Sequence, residues 1–167
     1  VLPCLINSPS NFLIMEWKDQ DVLITGGAGF IGSHLTESLV SEGANVRIAD
    51  DFSKGKFRNI KHILDEIELH GVDLTSRKAC LRVTEDVDYV FHLAASVGGI
   101  HYIKKENVGG HTPSVLMNTH MLEASRRNDV ENFLFASSAC IYRQQKKELH
   151  RFSEDQGLPA NPHSTYG

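Results

Sequence analysis

Val22-Leu23-Ile24-Thr25-Gly26-Gly27-Ala28-Gly29-Phe30-Ile31-Gly32 is the stretch from which the fold follows. Three apolar residues form a short buried strand and a glycine-rich turn ends it. Ile31, Leu35 and Leu39 then recur every four residues as one face of a helix. Gly43 stands where a helix closes most cheaply in the left-handed conformation, and Val46, Ile48 and Ala49 alternate into a second strand ending at Asp50 and Asp51. The unit is β-α-β. Gly26 permits the sharp exit from the strand, Gly29 lets backbone approach a phosphate with no side chain in the way, and Gly32 lets the helix pack close to the sheet. The first-turn N–H groups, beginning with Phe30 and Ile31, and the helix dipole then face an anion.

This arrangement reads as a dinucleotide-binding turn because strand, helix and a distal acid accompany the glycines. The acid is Asp50, 18 residues beyond Gly32 and placed to accept hydrogen bonds from both hydroxyls of a ribose. A carboxylate there repels a 2′-phosphate, which favours NAD over NADP. Asp51 is the alternative for the same role, and a plain loop carboxylate is the bland reading of either.

Downstream, Ile60 to Ile67 reads as helical, Glu68 to Val72 as a third strand, Tyr89 to Leu93 as a fourth and Asn132 to Ala136 as a fifth. Val115 to Arg127 carries Val115, Thr119 and Leu122 on one face and Met117, Met121 and Ala124 on the next, a broad apolar stripe for packing on a sheet. Alternating strands and helices imply an α/β fold, a doubly wound parallel sheet of the Rossmann type. Residues 1–20, broken by Pro3 and Pro9, read as an N-terminal extension, and 21–167 as the NAD-binding domain.

Composition narrows the class. The chain has 167 residues, 41% of them hydrophobic and 23% charged, which supports one packed core and excludes disorder. No apolar run reaches the roughly 18 residues of a membrane span, so the expectation is a soluble, cytoplasmic protein without a membrane partner. A net charge of -4 gives no footprint for nucleic acid. Cys4, Cys80 and Cys140 lack metal-ligand or disulfide spacing, and His101, His111 and His120 form no ligand set, so no metal is expected. Cys4 and Cys80 read as structural or incidental, and residues 143–151 as a solvated loop.

The GxxGxxG spacing is typical of the short-chain dehydrogenase/reductase superfamily, and TGGAGFIG resembles its extended branch of nucleotide-sugar epimerases and dehydratases. Further segments fit in order from Asp21 to the end. In Gly71-Val72-Asp73-Leu74 the resemblance implies adenine contacts from Asp73 and Leu74. In His92-Leu93-Ala94-Ala95 it implies that Leu93, Ala94 and Ala95 line the pyrophosphate and nicotinamide side. Ser137-Ser138-Ala139-Cys140-Ile141-Tyr142 puts Ser138 at the place of the catalytic serine, and Tyr166-Gly167 resembles the opening of YxxxK, which makes Tyr166 the catalytic tyrosine and a cofactor contact. Gly98-Gly99 and the serine-to-cysteine spacing resemble the GDP-mannose 3,5-epimerase and GDP-fucose synthase groups, and SSACIY is closer to the first. By that likeness Gly98, Gly99 and Ser138 touch substrate and Cys140 is an acid/base. Arg143 and the stretch 108–113 depart from both groups.

The implied activity is NAD-dependent epimerisation of a nucleotide sugar, with a GDP-mannose-like substrate favoured. Tyr166 takes a hydroxyl proton as C4 is oxidised, Ser138 holds the oxygen, and Cys140 moves a proton beside the ketone. A thiol, with an ordinary pKa near 8.5, suits that task at neutral pH. A 4-epimerase, a 4,6-dehydratase and a catalytically inactive NAD-binding fragment are the rivals. The resemblance also implies a homodimer in the full-length form. Because the motif lysine four places past Tyr166 lies beyond Gly167, the Rossmann part is expected to be incomplete at its C-terminus, with the substrate domain missing and the chain inactive alone.

Overall fold

The computed structural model describes residues 16–96, 112–138, 141–142 and 152–157. In chain order these form β1 (Asp21–Thr25), α1 (Phe30–Ser41), β2 (Asn45–Asp50), two 3-10 turns (Phe57–Asn59 and Lys61–Glu66) and β3 (Ile67–Gly71). They continue with α2 (Arg77–Val83), β4 (Tyr89–His92), α3 (Thr112–Arg127), β5 (Asn132–Phe135) and a last 3-10 turn (Glu154–Gly157). The strands pair in parallel in the order β3-β2-β1-β4-β5. The chain winds outward one way from β1 to β3 and crosses back to β4, so the order reverses between β1 and β4. The Rossmann-type parallel sheet expected from the alternation is therefore present.

Each face of the sheet has its own core. Val22, Ile24, Val46 and Ile48 point to the side covered by Leu39 and by Ile60 and Ile63 of the 3-10 segment. Leu23, Ala49 and Val90 point to the other, against Cys80 and Val83 of α2 and Met121 and Ala124 of α3. Burial on both faces explains why β1 reads as an unbroken apolar run. Trp17 packs against the first core with its ring 5.3 Å from Tyr89 and 5.8 Å from Phe91. The end of the segment read as an extension therefore joins the packing of the domain, because an indole has apolar area to bury wherever it falls in the sequence.

Several expectations need correction. Ile31 is 69% exposed; the buried row of α1 is Gly32, Ser33, Thr36 and Leu39, because the close approach to the turn admits only small residues. The helix expected over Ile60 to Ile67 is a 3-10 turn over Lys61–Glu66, preceded by another at Phe57–Asn59, and β3 starts at Ile67. On α3 the buried row is Met121, Ala124 and Ser125, while Val115 and Leu122 are exposed, so the broad apolar stripe is only half used. α2 carried no sequence signal long enough to register. Its start is capped by Ser76, whose hydroxyl accepts from Ala79 N at 3.4 Å.

Among the described glycines the closest approach is at Gly32, where a Cβ would stand 2.3 Å from the Gly26 carbonyl oxygen and 2.8 Å from Gly27 Cα. Neither is the end of a flexible side chain. Gly32→Ala is expected to lower unfolding free energy by about 1–3 kcal/mol, read as a lower urea midpoint at unchanged slope. An unchanged midpoint contradicts the close-packing account.

Candidate active site

Parallel strands put the loops after β1, β2, β3 and β4 on one edge of the sheet. A cleft of about 660 Å3 opens there, at the point where strand order reverses. Its floor is the β1 turn. Gly26 has φ of 71°, a left-handed conformation that a side chain resists, and its N–H donates to Ala49 O at 2.8 Å. Gly29 lines the cleft and is the N-cap of α1. It supplies no side-chain cap, and the first turn of α1 contains no acidic residue. The first N–H groups of α1 therefore stand without internal acceptors at the mouth of a cleft, an arrangement that suits phosphate. Phe30 and Ile31 turn their side chains outward and Gly32 is buried beneath the turn, so none of the three is a wall of the cleft.

One wall carries the acids. Asp50, 7% exposed, accepts from Ala28 N at 2.9 Å through Oδ2 and from Phe52 N at 2.8 Å through Oδ1. Its carboxylate thus ties the glycine turn to the loop after β2 while lining the cleft. Gly55 lies so close that a Cβ there would fall 2.6 and 2.7 Å from the two Asp50 oxygens. Asp51 also lines the cleft and accepts from Ser53 N at 2.9 Å. Asp73 and Leu74 line it past β3, with Asp73 Oδ1 holding Thr75 N at 2.8 Å. Ser53, Lys54, Gly55, Val72 and Thr75 complete this side, and sequence reasoning did not single out any of them as contacts.

The opposite wall is Leu93, Ala94, Ala95 and Ser96, with Pro113 and Met117 of α3. It rests on groups that are buried and polar. Thr25 Oγ1 lies 2.8 Å from His92 Nδ1 and accepts from Leu93 N at 3.1 Å and Ala94 N at 3.0 Å. His92 Nε2 lies 3.0 Å from Asn118 Oδ1. Burial holds the pKa of His92 below its usual value, against a smaller opposing pull from the Asn118 hydrogen bond. A hydroxyl inside an otherwise apolar strand was the one available signal for Thr25.

Ser138 is half-buried three residues past β5, on the same edge of the sheet as the cleft; Ile141 N donates to its carbonyl at 3.3 Å. Gly98, Gly99, Cys140 and Tyr166 lie outside the described residues. Cys80 is fully buried, its thiol pushed up to about 11 by burial and donating to Leu74 O at 3.1 Å, so it is an inert packing residue. Among the described residues no cluster suits a metal ion and no helix is long and apolar enough to cross a membrane. A smaller hollow of about 160 Å3 at the other end of the strands is occupied by the Arg47 contacts to Glu68 Oε2 at 2.6 Å and to two carbonyls.

An uncapped helix start and, 22 residues after Ala28, a carboxylate bonded to the same turn, both at one cleft at a sheet reversal, define a dinucleotide-binding α/β domain. The glycine cradle and acid wall fit NAD. Residues 22–167 match the NAD dependent epimerase/dehydratase family, and the chain belongs to that family. It is 40% identical over 156 residues to GDP-mannose 3,5-epimerase of Arabidopsis thaliana, covering 90% of this chain and 41% of that protein. Over 151 residues it is 40% identical to GDP-mannose 3,5-epimerase 1 of Oryza sativa subsp. indica, covering 87% and 38%. Among solved structures, UDP-glucose 4-epimerase of Thermus thermophilus in complex with NAD superposes with a TM-score of 0.75 at 30% identity, over 88% of this chain and 46% of that one. The chain thus spans about two fifths of the curated relatives it matches.

A His92 kept neutral by burial makes stability depend on pH. The contribution is fully present above the ordinary value of 6.5 and is lost as pH falls from there toward the lower folded value, because only the unfolded chain takes up the proton. The loss approaches about 1.4 kcal/mol per pH unit in that window. Urea unfolding at pH 6.5 and 5.5 checks it: His92→Gln should flatten the difference, and an equal slope in both proteins removes His92 as the source.

Proposed function

We propose that this chain is the NAD-binding part of a nucleotide-sugar epimerase of the GDP-mannose 3,5-epimerase kind, acting through transient oxidation at C4 and proton transfer by Cys140. The observation that carries the reading is 40% identity to two such enzymes over nearly the whole chain, together with SSACIY directly after β5. The cleft supports it by holding a phosphate seat and, tied to the same turn through Ala28 N, a ribose acceptor. The expected placement is pyrophosphate over Gly26, Gly29 and the N–H groups of Phe30 and Ile31, one ribose on Asp50, adenine beside Asp73 and Leu74, and nicotinamide toward Leu93, Ala94 and Ala95.

NAD, when bound, supplies a hydride acceptor that is restored at the end of each cycle. The residues of the chain do the proton work. Tyr166 takes the C4 hydroxyl proton as the C4 hydride leaves, and Ser138 donates a hydrogen bond to the oxygen as it becomes a ketone. The neighbouring C–H is then acidic, because its electron pair spreads onto that oxygen. Cys140 as thiolate removes this proton or, as thiol, returns one to the other face of the carbon. Returning hydride to C4 and the proton from Tyr166 to the oxygen restores the alcohol. Gly98 and Gly99 are proposed substrate contacts. The exposed Val115, Leu116 and Leu122 of α3 offer a surface consistent with a homodimer, and the buried free thiol of Cys80 accords with a reducing, cytoplasmic setting.

The Thermus thermophilus structure makes a UDP-sugar 4-epimerase the second reading, and that chemistry needs no Cys140. Two measurements separate the possibilities. Calorimetry on this chain should show NAD binding that Asp50→Ala weakens at least about tenfold, since a fixed acceptor for two hydroxyls is lost. In the complete gene product with GDP-mannose in deuterium oxide, Cys140→Ala should cut deuterium entry into the sugar by about 100-fold or more while bound NAD still becomes reduced. Undiminished deuterium entry removes the cysteine from the mechanism; turnover of a UDP-sugar at C4 alone selects the second reading.

A further inference from the structure

The polarity of the buried chain behind the Leu93–Ala94 wall follows from the backbone outward. Thr25 Oγ1 accepts two main-chain N–H groups, from Leu93 and Ala94, which uses both of its lone pairs. Its own proton must therefore go elsewhere, and the remaining neighbour is His92 Nδ1 at 2.8 Å. His92 Nδ1 is thus an acceptor and carries no proton. The proton of the neutral ring sits on Nε2 and is donated to Asn118 Oδ1 at 3.0 Å. Both ends of the ring hold this order: a proton on Nδ1 would ask Thr25 to accept a third hydrogen bond, and would leave Asn118 Oδ1 facing a bare Nε2 with two acceptors opposed. The nearest rings, Phe133 and Phe135, have centroids 5.7 and 6.2 Å away, and neither offers an alternative partner.

We propose that Asn118 is a positioning residue for the dinucleotide cleft: it locks His92 in the Nε2–H tautomer and, through Thr25, fixes the Leu93–Ala94 wall against the phosphate turn. The reading rests on the cleft being the NAD site. The fit between wall and turn is close enough for this to matter. A Cβ on Gly26 would meet Ala94 N at 3.1 Å and Leu93 C at 3.3 Å, so the two segments touch along their backbones. Asn118 itself is not among the residues lining the cleft, and its effect reaches NAD only through the relay.

Nitrogen-15 NMR of the histidine rings and backbone amides of this chain, combined with NAD calorimetry, tests the proposal. At pH 7, without NAD, His92 should show a bare Nδ1 and a protonated Nε2. Asn118→Ala should mix the tautomers, shift the Leu93 and Ala94 amide protons and raise the NAD dissociation constant about tenfold. Asn128→Ala is the control for simple loss of stability, because it removes hydrogen bonds of 2.8 Å to Leu81 O and Thr84 Oγ1 at the far end of α3. It should leave NAD affinity within about twofold. Thr25→Val should reproduce the Asn118→Ala loss and Thr25→Ser should restore binding, which keeps the test decisive if the alanine variant does not fold. Unchanged NAD affinity in Asn118→Ala, or equal losses in Asn118→Ala and Asn128→Ala, overturns the proposal. If the unaltered chain fails to bind NAD, the reading of the cleft falls, and the Leu93 and Ala94 amide shifts still decide whether Asn118 positions the wall.

Discussion

The backbone of α1 lies almost in contact with the turn that precedes it, and the rest of the site is arranged around that approach. With only hydrogen at Gly32 the helix sits against the Gly26 carbonyl, and this aims its uncapped start along the sheet edge. Gly26 must then turn with positive φ, which brings Ala28 N within reach of Asp50 and leaves room for Ala94 on the other side. Both walls of the cleft are thereby referenced to one four-residue turn. The stabilising terms are ordinary hydrogen bonds, each worth about 1 kcal/mol net, and their effect comes from sharing that common anchor.

Most of the fold was legible because its signals are local. β1, α1 and β2 follow from a three-residue apolar run, a glycine turn and an alternating strand, and sheet direction follows from the helices between strands. What escaped was part of the inward side of each helix. Leu35 and Leu39 pack on the core as their four-residue period implies, yet Ile31 in the same period is exposed and Gly32, Ser33 and Thr36 are buried, because contact with the turn selects for size over hydrophobicity. Thr36 offsets the cost of its burial by donating to Gly32 O at 2.8 Å. On α3 the reverse occurs: Val115 and Leu122 are apolar and exposed, while Asn118 and His120 turn inward because each meets a partner, Asn118 at His92 and His120 Nδ1 at Thr75 O, 2.9 Å away. Periodicity reports hydrophobic area, and these positions are governed by hydrogen bonds to groups far along the chain.

The site divides in the same way. Its glycines and Asp50 were readable from motif spacing, Asp73 and the Leu93–Ala95 segment from the family resemblance, and all but Gly32 among these line the cleft. The partnership of Thr25 and His92 spans 67 residues and depends on the parallel register that sets the ends of β1 and β4 side by side. No window along the sequence contains both. Gly55 is similar: its reason is an oxygen of Asp50 less than 3 Å from where its Cβ would be, a fact of loop closure. The residues expected to carry the proton chemistry, Cys140 and Tyr166, rest on motif order alone and lie outside the described residues.

The distribution of charge along the cleft bears on the proposed placement of the dinucleotide. At the α1 end the available groups are N–H donors and a helix dipole, with no carboxylate in the first turn. At the β2 and β3 ends Asp50, Asp51 and Asp73 line the opening with Lys54 as the cation beside them. Asp50 cannot swing away to relieve repulsion, because both of its oxygens are tied to backbone N–H groups and Gly55 closes over them. Two like charges held about 5 Å apart at an effective dielectric near 20 repel by about 3 kcal/mol. A fixed carboxylate therefore excludes a 2′-phosphate more firmly than a mobile one, while its free lone pairs remain available to neutral hydroxyls. In the proposed placement of a ribose on Asp50, the carboxylate that would meet a 2′-phosphate is thus held by the same backbone hydrogen bonds that hold the glycine turn in place.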